Sequence, residues 1–225
     1  MNTKDIEERL LELQDTKYRD FHHGIVPTVD SARLIGVRMP QLRTLAKEIV
    51  TSGDTEALLP TLPHRWYEEN ILHAIIVSGI KDYCECLRQV ERMLPYIDNW
   101  AVCDCLRPRC FARHTDDLLP HIRRWLASEH EYTVRFGIGM LECFYLDDKT
   151  FSPSQLEMVA AVRREEYYIR MMQAWYFATA LAKQWDATLP IISELPEWVR
   201  RKTVQKARES YRVTPEHKDW LKVKG

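Results

Sequence analysis

Glycine and long apolar runs are what this sequence has least of. Its 225 residues include only 7 glycines, and its 11 prolines are scattered rather than clustered. This distribution favours many helices joined by short turns over a linker or a disordered tail. No apolar run approaches the roughly 18 residues that a membrane helix needs. The nearest, residues 71–80, is interrupted by His73 and Ser78, so no membrane attachment is expected.

Signals for secretion and for metal binding are also missing. The first residues are charged and helical in character, unlike a signal peptide, so we expect an intracellular protein. We interpret the six cysteines as reduced thiols in or near the core: Cys84, Cys86, Cys103, Cys105, Cys110 and Cys143. Their pairs are Cys-x-Cys within helical stretches, where the second thiol points away from the first, so no metal site or cofactor is expected.

Charge is nearly balanced overall but unevenly distributed. The formal net charge is −1. Residues 198–225 nevertheless carry nine Lys and Arg against three Asp and Glu, whereas residues 1–60 carry eight against ten. A basic end on a neutral protein suits a polyanionic partner. A run of charge is also common on a merely solvated face.

Helical periodicity dominates the chain, and no segment alternates as a strand does. The pattern predicts helices at residues 3–14, 17–24, 40–51, 55–59, 67–79, 82–93, 118–127, 131–145, 154–162 and 166–183. The length is compatible with one domain or two. We interpret residues 1–225 as a single all-α domain.

A repeated motif indicates how these helices are arranged. Glu131-Tyr-Thr-Val-Arg135 recurs as Glu166-Tyr-Tyr-Ile-Arg170, and Glu197-Trp-Val-Arg-Arg201 is a looser third copy. Helix pairs recurring at this interval are typical of an α-solenoid, whose stacked pairs leave one concave face. The three arginines are predicted to hold equivalent places. The alternative is that they pair with glutamates of neighbouring helices.

The segment from Ile97 to Asp104 is the strongest candidate for chemistry. Pro95 ends the preceding helix, and Asp98 or Asn99 can cap the next one. Trp100 and Asp104 are four residues apart, so they share one helical face. The alternative is a core tryptophan beside a solvated surface acid. Trp175 lies in a Met- and aromatic-rich helix that is mostly core, but on a different face from Arg170, which leaves it free to face a groove.

The order of these motifs resembles that of the bacterial AlkD-type DNA glycosylases over essentially the whole chain. The resemblance rests on Trp100-x3-Asp104, Trp125-Leu-Ala-Ser-x3-Tyr132-Thr-Val-Arg135, Glu166-x-Tyr-Ile-x4-Ala174-Trp175, Arg200-Arg-Lys-x3-Lys206, Tyr211 and Ile35-Gly-Val-Arg-Met-Pro-x-Leu-Arg43. It implies a right-handed superhelix of HEAT-like helix pairs with a concave, basic groove for duplex DNA. It also implies excision of N3- and N7-alkylated purines without base flipping, which leaves an abasic site.

The resemblance also implies roles for individual residues. Asp104 matches the catalytic carboxylate, Trp100 and Trp175 match the aromatics that bracket the damaged nucleotide, and Arg135 matches an arginine that steadies the DNA. Asn99 stands where family members often have a second tryptophan, so the aromatic wall is thinner here. Tyr18 and Phe21 are the candidates for an additional N-terminal aromatic of the family.

The chemistry is consistent with this assignment. An N3- or N7-alkylated purine is cationic, and its departure develops positive charge on the sugar, which a carboxylate stabilises. Indole faces favour a cationic base, and Lys and Arg supply phosphate contacts. The basic candidates are Arg135, Arg170, Arg201, Lys202 and Lys206. A metal-independent, cytoplasmic, monomeric enzyme acting at the nucleoid is expected, with duplex DNA as its partner. Two alternatives stay open: a non-catalytic binder of distorted or branched DNA, and a protein-interaction scaffold.

Overall fold

The structure, a computed structural model, describes residues 1–224 and is built from helices and turns. Its thirteen α-helices within that range are α1 (Thr3–Glu12), α2 (Thr16–His23), α3 (Met39–Ser52), α4 (Tyr67–Ser78), α5 (Tyr83–Met93), α6 (Trp100–Cys105), α7 (Thr115–Leu126), α8 (Glu131–Phe144), α9 (Pro153–Ala160), α10 (Tyr167–Lys183), α11 (Trp185–Ile192), α12 (Glu197–Glu209) and α13 (Pro215–Lys224). Residues 1–224 contain no strand, so the all-α prediction is confirmed. None of these helices has the length and apolar character needed to span a membrane.

Four helical segments differ from the prediction. The short helix expected at residues 55–59 is a 3₁₀ helix, Asp54–Ala57. Helix α7 begins at Thr115, so Pro120 lies inside it. The predicted range, residues 118–127, places Pro120 in the first turn instead, where its missing N–H costs no helical hydrogen bond. Helices α11 and α13 were not predicted, and α11 is only eight residues long with Pro190 inside it.

The described chain forms two compact units. Unit 1 comprises Met1–Phe111, and unit 2 begins at Ala112. In unit 1, α4 packs against α3, α5 and α6. In unit 2, α8, α10 and α12 are successive neighbours, while α7, α9, α11 and α13 pack beside them. Packing between helices that are close in sequence is the arrangement of an α-solenoid. Whether residues 1–225 act as one domain stays a prediction.

The repeated motif of unit 2 lies where its copies touch. Glu131 accepts a hydrogen bond from the Tyr168 backbone N–H at 3.3 Å, and Arg135 Nη1 donates to the Tyr168 carbonyl oxygen at 2.8 Å. The Tyr132 and Tyr168 rings are 5.8 Å apart, and Tyr167 meets Trp198 at 5.9 Å. The acid and the arginine of the first copy therefore hold the start of the second, and aromatic contacts continue the series into the third.

A buried carboxylate fixes the N-terminal signature of unit 1 to α4. Glu68 is 1% exposed and accepts hydrogen bonds from the backbone N–H groups of Ile35, Gly36 and Val37 at 3.0, 2.7 and 3.3 Å. Burial raises the pKa of Glu68, and the N–H groups oppose that rise. Gly36 has φ +95°, and a Cβ there would meet Arg19 Cβ at 2.5 Å. Only glycine fits this turn, which places α2 and α3 beside Tyr67.

Two buried histidines also pack in unit 1. The His64 Nε2 and His73 Nδ1 atoms are 2.8 Å apart. Burial lowers the pKa of His64 to about 4 and that of His73 to about 3. Both rings are therefore neutral in the folded protein near neutral pH. In the unfolded chain each would titrate near 6.5.

We expect this pair to make the protein acid-sensitive. Because the folded pKa values lie below 6.5, the unfolded chain binds more protons as the pH falls, and stability present above pH 6.5 is lost towards pH 4. For His64 alone the loss of unfolding free energy at pH 5 is about 2 kcal/mol. Urea unfolding at pH 7.5, 6 and 5 measures it. A His64→Gln/His73→Gln variant should show a shallower pH dependence, and an equal slope in both proteins would contradict the assignment.

Candidate functional site

Helix α6 presents the predicted catalytic pair to an open groove of unit 1. Asn99 caps this helix, because its side chain accepts a hydrogen bond from the Val102 N–H at 2.9 Å. Trp100 and Asp104 both line a groove of about 1450 Å³. Asp104 is partly exposed. The prediction that these two side chains share one face is therefore confirmed.

The tryptophan is held at its edge. Trp100 Nε1 donates to the Ile25 carbonyl oxygen at 3.1 Å, which ties α6 to the segment after α2. Asn99 is 2% exposed, and its amide also donates to Asp98, which pairs with Arg33 at 2.8 Å. Asn99 is thus a buried helix cap rather than part of the groove wall.

A histidine between two tyrosines stands in the same region. His22 Nε2 lies 2.9 Å from the Tyr67 hydroxyl, and His22 Nδ1 lies 3.5 Å from the Tyr18 hydroxyl. His22 and Tyr67 line the groove with Trp100 and Asp104. Burial lowers the pKa of His22 and raises that of Tyr67. Near neutral pH both groups are uncharged hydrogen-bonding partners. Phe21, the other N-terminal candidate, is 66% exposed.

Cationic side chains also line the groove that contains Asp104. Six line the groove, against three carboxylates including Asp104: Arg43, Lys47, Arg88, Arg92, Arg107 and Arg109. Arg88 pairs with Glu85 at 2.7 Å, and Arg107 Nε donates to the Asp104 carbonyl oxygen at 3.1 Å. The local balance favours a polyanion, although the first 60 residues carry no excess of basic residues.

The total charge of a stretch of sequence does not reveal the groove cations, whereas the charge on each helical face does. Arg43 and Lys47 are four residues apart on α3, and Arg88 and Arg92 are four apart on α5. That spacing places each pair on one face. It is a signal that the sequence contains. Which face lines the groove depends on the packing of α3 and α5 around α4.

In unit 2, Trp175 is an exposed aromatic beside a lysine. Its side chain is 50% exposed, and Lys206 Nζ lies 5.6 Å from its ring centroid. Lys206 also pairs with Glu209 at 2.9 Å. The exposed half of the indole is apolar surface that a ligand can contact.

The two arginines of the first repeat copies are held by the protein. Arg135 is 6% exposed and bonded to the Tyr168 carbonyl, as described above. Arg170 pairs with Glu165 at 2.9 Å and lies 4.9 Å from the Trp198 ring centroid. Both have structural contacts, and their DNA binding stays a prediction.

The three predicted DNA-binding residues of α12, Arg201, Lys202 and Lys206, do not all face the same surface. Lys206 approaches Trp175, and Lys202 Nζ donates to Gln205 at 3.0 Å. Arg201 instead lines a cleft against α13. The helix therefore carries basic side chains towards two surfaces. A single DNA-binding set was expected.

No group of three or more His, Cys, Asp or Glu side chains close enough to hold a metal ion occurs in the described part of the chain. The side chains that line the groove of unit 1 include aromatic, carboxylate and cationic groups.

Residues 6–166 match the model of a family described as DNA alkylation repair enzyme. The chain belongs to the DNA alkylation repair enzyme family.

This family membership supports an enzymatic role in DNA alkylation repair, with DNA as the substrate. The matched span contains Trp100, Asp104 and Arg135, and it ends at the start of α10, before Trp175. Comparison with curated proteins gives no match. The resemblance to AlkD-type enzymes is therefore confirmed at the level of the family.

Proposed function

We propose that this member of the DNA alkylation repair enzyme family is a monofunctional DNA glycosylase. Its substrate is duplex DNA that carries N3- or N7-alkylated purines, and its product is an abasic site. The observation that supports this proposal best is the placing of Asp104 and Trp100 on one face of α6, in a groove with a cationic rim. Family membership supports the link to alkylated DNA.

The reaction needs little beyond a carboxylate and an aromatic surface. Alkylation at N3 or N7 gives the purine a positive charge, so the base leaves neutral and needs no general acid. Positive charge builds on the deoxyribose as the bond breaks, and Asp104 stabilises that charge and positions the attacking water. Water adds its oxygen to the anomeric carbon, and its proton passes to the carboxylate or to solvent. The products are the free base and an abasic sugar.

Recognition of the lesion follows from its charge. The face of an indole attracts a cation by about 0.5–2 kcal/mol, depending on desolvation. Trp100 is held at its edge by the bond to Ile25, so its orientation is fixed before DNA arrives. We expect Trp175 to recognise the cationic base in the same way. A base recognised by its charge in an open groove need not be flipped into a pocket.

The cationic rim supplies affinity that is independent of sequence. Arg43, Lys47 and Arg109 are exposed and line the groove. Each phosphate neutralised by such a side chain contributes about −0.9 to the slope of log K against log salt. Binding to undamaged duplex should therefore weaken steeply as salt is raised.

The decisive test is incubation with duplex DNA carrying one N7-methylguanine, in the presence of EDTA, followed by alkaline cleavage. We expect strand cleavage at the lesion, because the mechanism uses no metal. The matched unmethylated duplex is the substrate control. Binding without an abasic product on N3- and N7-alkylated substrates would overturn the proposal in favour of a non-catalytic DNA-binding protein. No binding even at low salt would point to a protein-interaction scaffold.

A further inference from the structure

A basic cleft lies between α12 and α13 of unit 2. It has a volume of about 730 Å³. Five cationic side chains line it: Arg200, Arg201, Arg208, Lys218 and Lys222. The only carboxylates that line it are Glu209 and Asp219. The cleft falls outside the span that matches the DNA alkylation repair enzyme family, so the match assigns it no role.

Helical spacing explains why these side chains converge. On α12, Arg200, Val204 and Arg208 are four residues apart, which places them in one row. On α13, Lys218 and Lys222 form a second row with the same spacing. The two rows face each other across the cleft, and the partly apolar floor includes Val204.

Most of this positive charge is not neutralised within the protein. Asp219 pairs with Lys222 at 2.7 Å, and Glu209 pairs with Lys206, which approaches Trp175, at 2.9 Å. The remaining cations have no ion pair among the described residues: Arg200, Arg201, Arg208 and Lys218. Four like charges around one cleft repel each other, and a bound polyanion relieves that repulsion.

The cleft is already formed in the folded protein. The His217 ring stacks on Trp185 of α11 at 3.7 Å with an interplanar angle of 7°, and Trp220 meets the same ring at 5.9 Å. Leu221 and Val213 are 1% and 3% exposed. These contacts anchor α13, so little conformational entropy is lost when a ligand binds between the helices.

We propose that this cleft is a second phosphate-binding site, which holds the phosphodiester backbone of a nucleic acid strand. It is separate from the basic face of α12 at Trp175. The inference rests on the proposed function in taking nucleic acid as the ligand, but it does not depend on excision.

The spacing of the cations favours a strand over a single phosphate. Arg200 and Arg208 are eight residues apart, which corresponds to about 12 Å along a helix. A single phosphate would leave some of the cations spread over that distance without an anionic partner. Successive phosphates of one strand, about 3.4 Å apart along the duplex axis, span it.

The test compares undamaged duplex binding by wild type and an Arg201→Gln/Arg208→Gln variant over a range of salt. Fluorescence anisotropy gives the slope of log K against log salt. We expect affinity at low salt to fall roughly tenfold or more, and the slope to become shallower by about 1.8, because two phosphate contacts are lost. Arg201→Lys/Arg208→Lys should keep most of the wild-type slope, since it preserves the charge.

A matched control removes two exposed cations elsewhere in unit 2. Arg123 and Lys149 are exposed and do not line the cleft, so Arg123→Gln/Lys149→Gln should leave the slope nearly unchanged. If both double variants lower the slope equally, the proposal is overturned. A cleft variant with an unchanged slope also overturns the proposal. If calorimetry then shows that wild type binds free phosphate compounds and the cleft variant does not, the cleft is assigned to those compounds instead.

The same samples separate this proposal from the proposed glycosylase activity. Excision of N7-methylguanine is measured independently of binding to undamaged duplex. If the cleft variant keeps the wild-type salt slope while wild type excises N7-methylguanine, only the cleft proposal is overturned. No excision by wild type, with the slope effect present, overturns only the glycosylase.

Discussion

Replacement of Asp104 by asparagine should lower the single-turnover rate of N7-methylguanine excision by about 10²–10³-fold. The substitution keeps the shape of the side chain but removes the negative charge that stabilises the developing positive charge on the sugar. The Kd for the lesion-containing duplex should stay unchanged or fall slightly, because one negative charge leaves a cationic groove. Quenched-time-point assays with enzyme in excess measure the rate, and anisotropy measures the Kd.

The same groove provides a control for this change of charge. Glu56 also lines it and is exposed, so Glu56→Gln removes one negative charge without touching α6. We expect its excision rate to stay near that of wild type. Equal rates for wild type and Asp104→Asn would remove Asp104 from the mechanism. A similar loss in both variants would show that the effect arises from groove charge in general.

Local sequence signals were sufficient to predict most of the helices and the shared face of Trp100 and Asp104 on α6. Proline and a side-chain cap define the start of α6, and a spacing of four residues puts Trp100 and Asp104 on one face. Both side chains do line the same groove. The ambiguity between Asp98 and Asn99 as the cap depended on local backbone angles, and the structure assigns the cap to Asn99.

Properties that depend on packing could not be predicted in the same way. Arg135 and Arg201 belong to related motif copies, yet Arg135 is buried against Tyr168 while Arg201 is exposed at the α12–α13 cleft. The difference arises because α8 is followed by a neighbouring copy at α10, whereas α12 is followed by α13. A short motif does not specify its neighbour. The groove cations of unit 1 were missed for a related reason, since their convergence depends on how three helices pack.

Replacement of Arg135 by methionine should destabilise the protein by about 2–4 kcal/mol, because it removes a buried, charge-assisted hydrogen bond and leaves the Tyr168 carbonyl without that donor. Methionine fills a similar volume, so the loss reports mainly on the polar contact. For a protein of this size the melting temperature should fall by roughly 10 °C. Thermal unfolding followed by circular dichroism measures it.

Arg123 supplies the comparison that decides between a structural and a DNA-binding role for Arg135. Arg123 is an exposed arginine of the same unit, so Arg123→Met should leave the melting temperature nearly unchanged. If Arg135→Met has the same melting temperature as Arg123→Met but lowers the salt slope of duplex binding by about 0.9, Arg135 acts as a phosphate contact. A large loss of stability with little change in the slope would make Arg135 a positioning residue. Its contribution to repair would then be to hold the start of α10, the helix that presents Trp175.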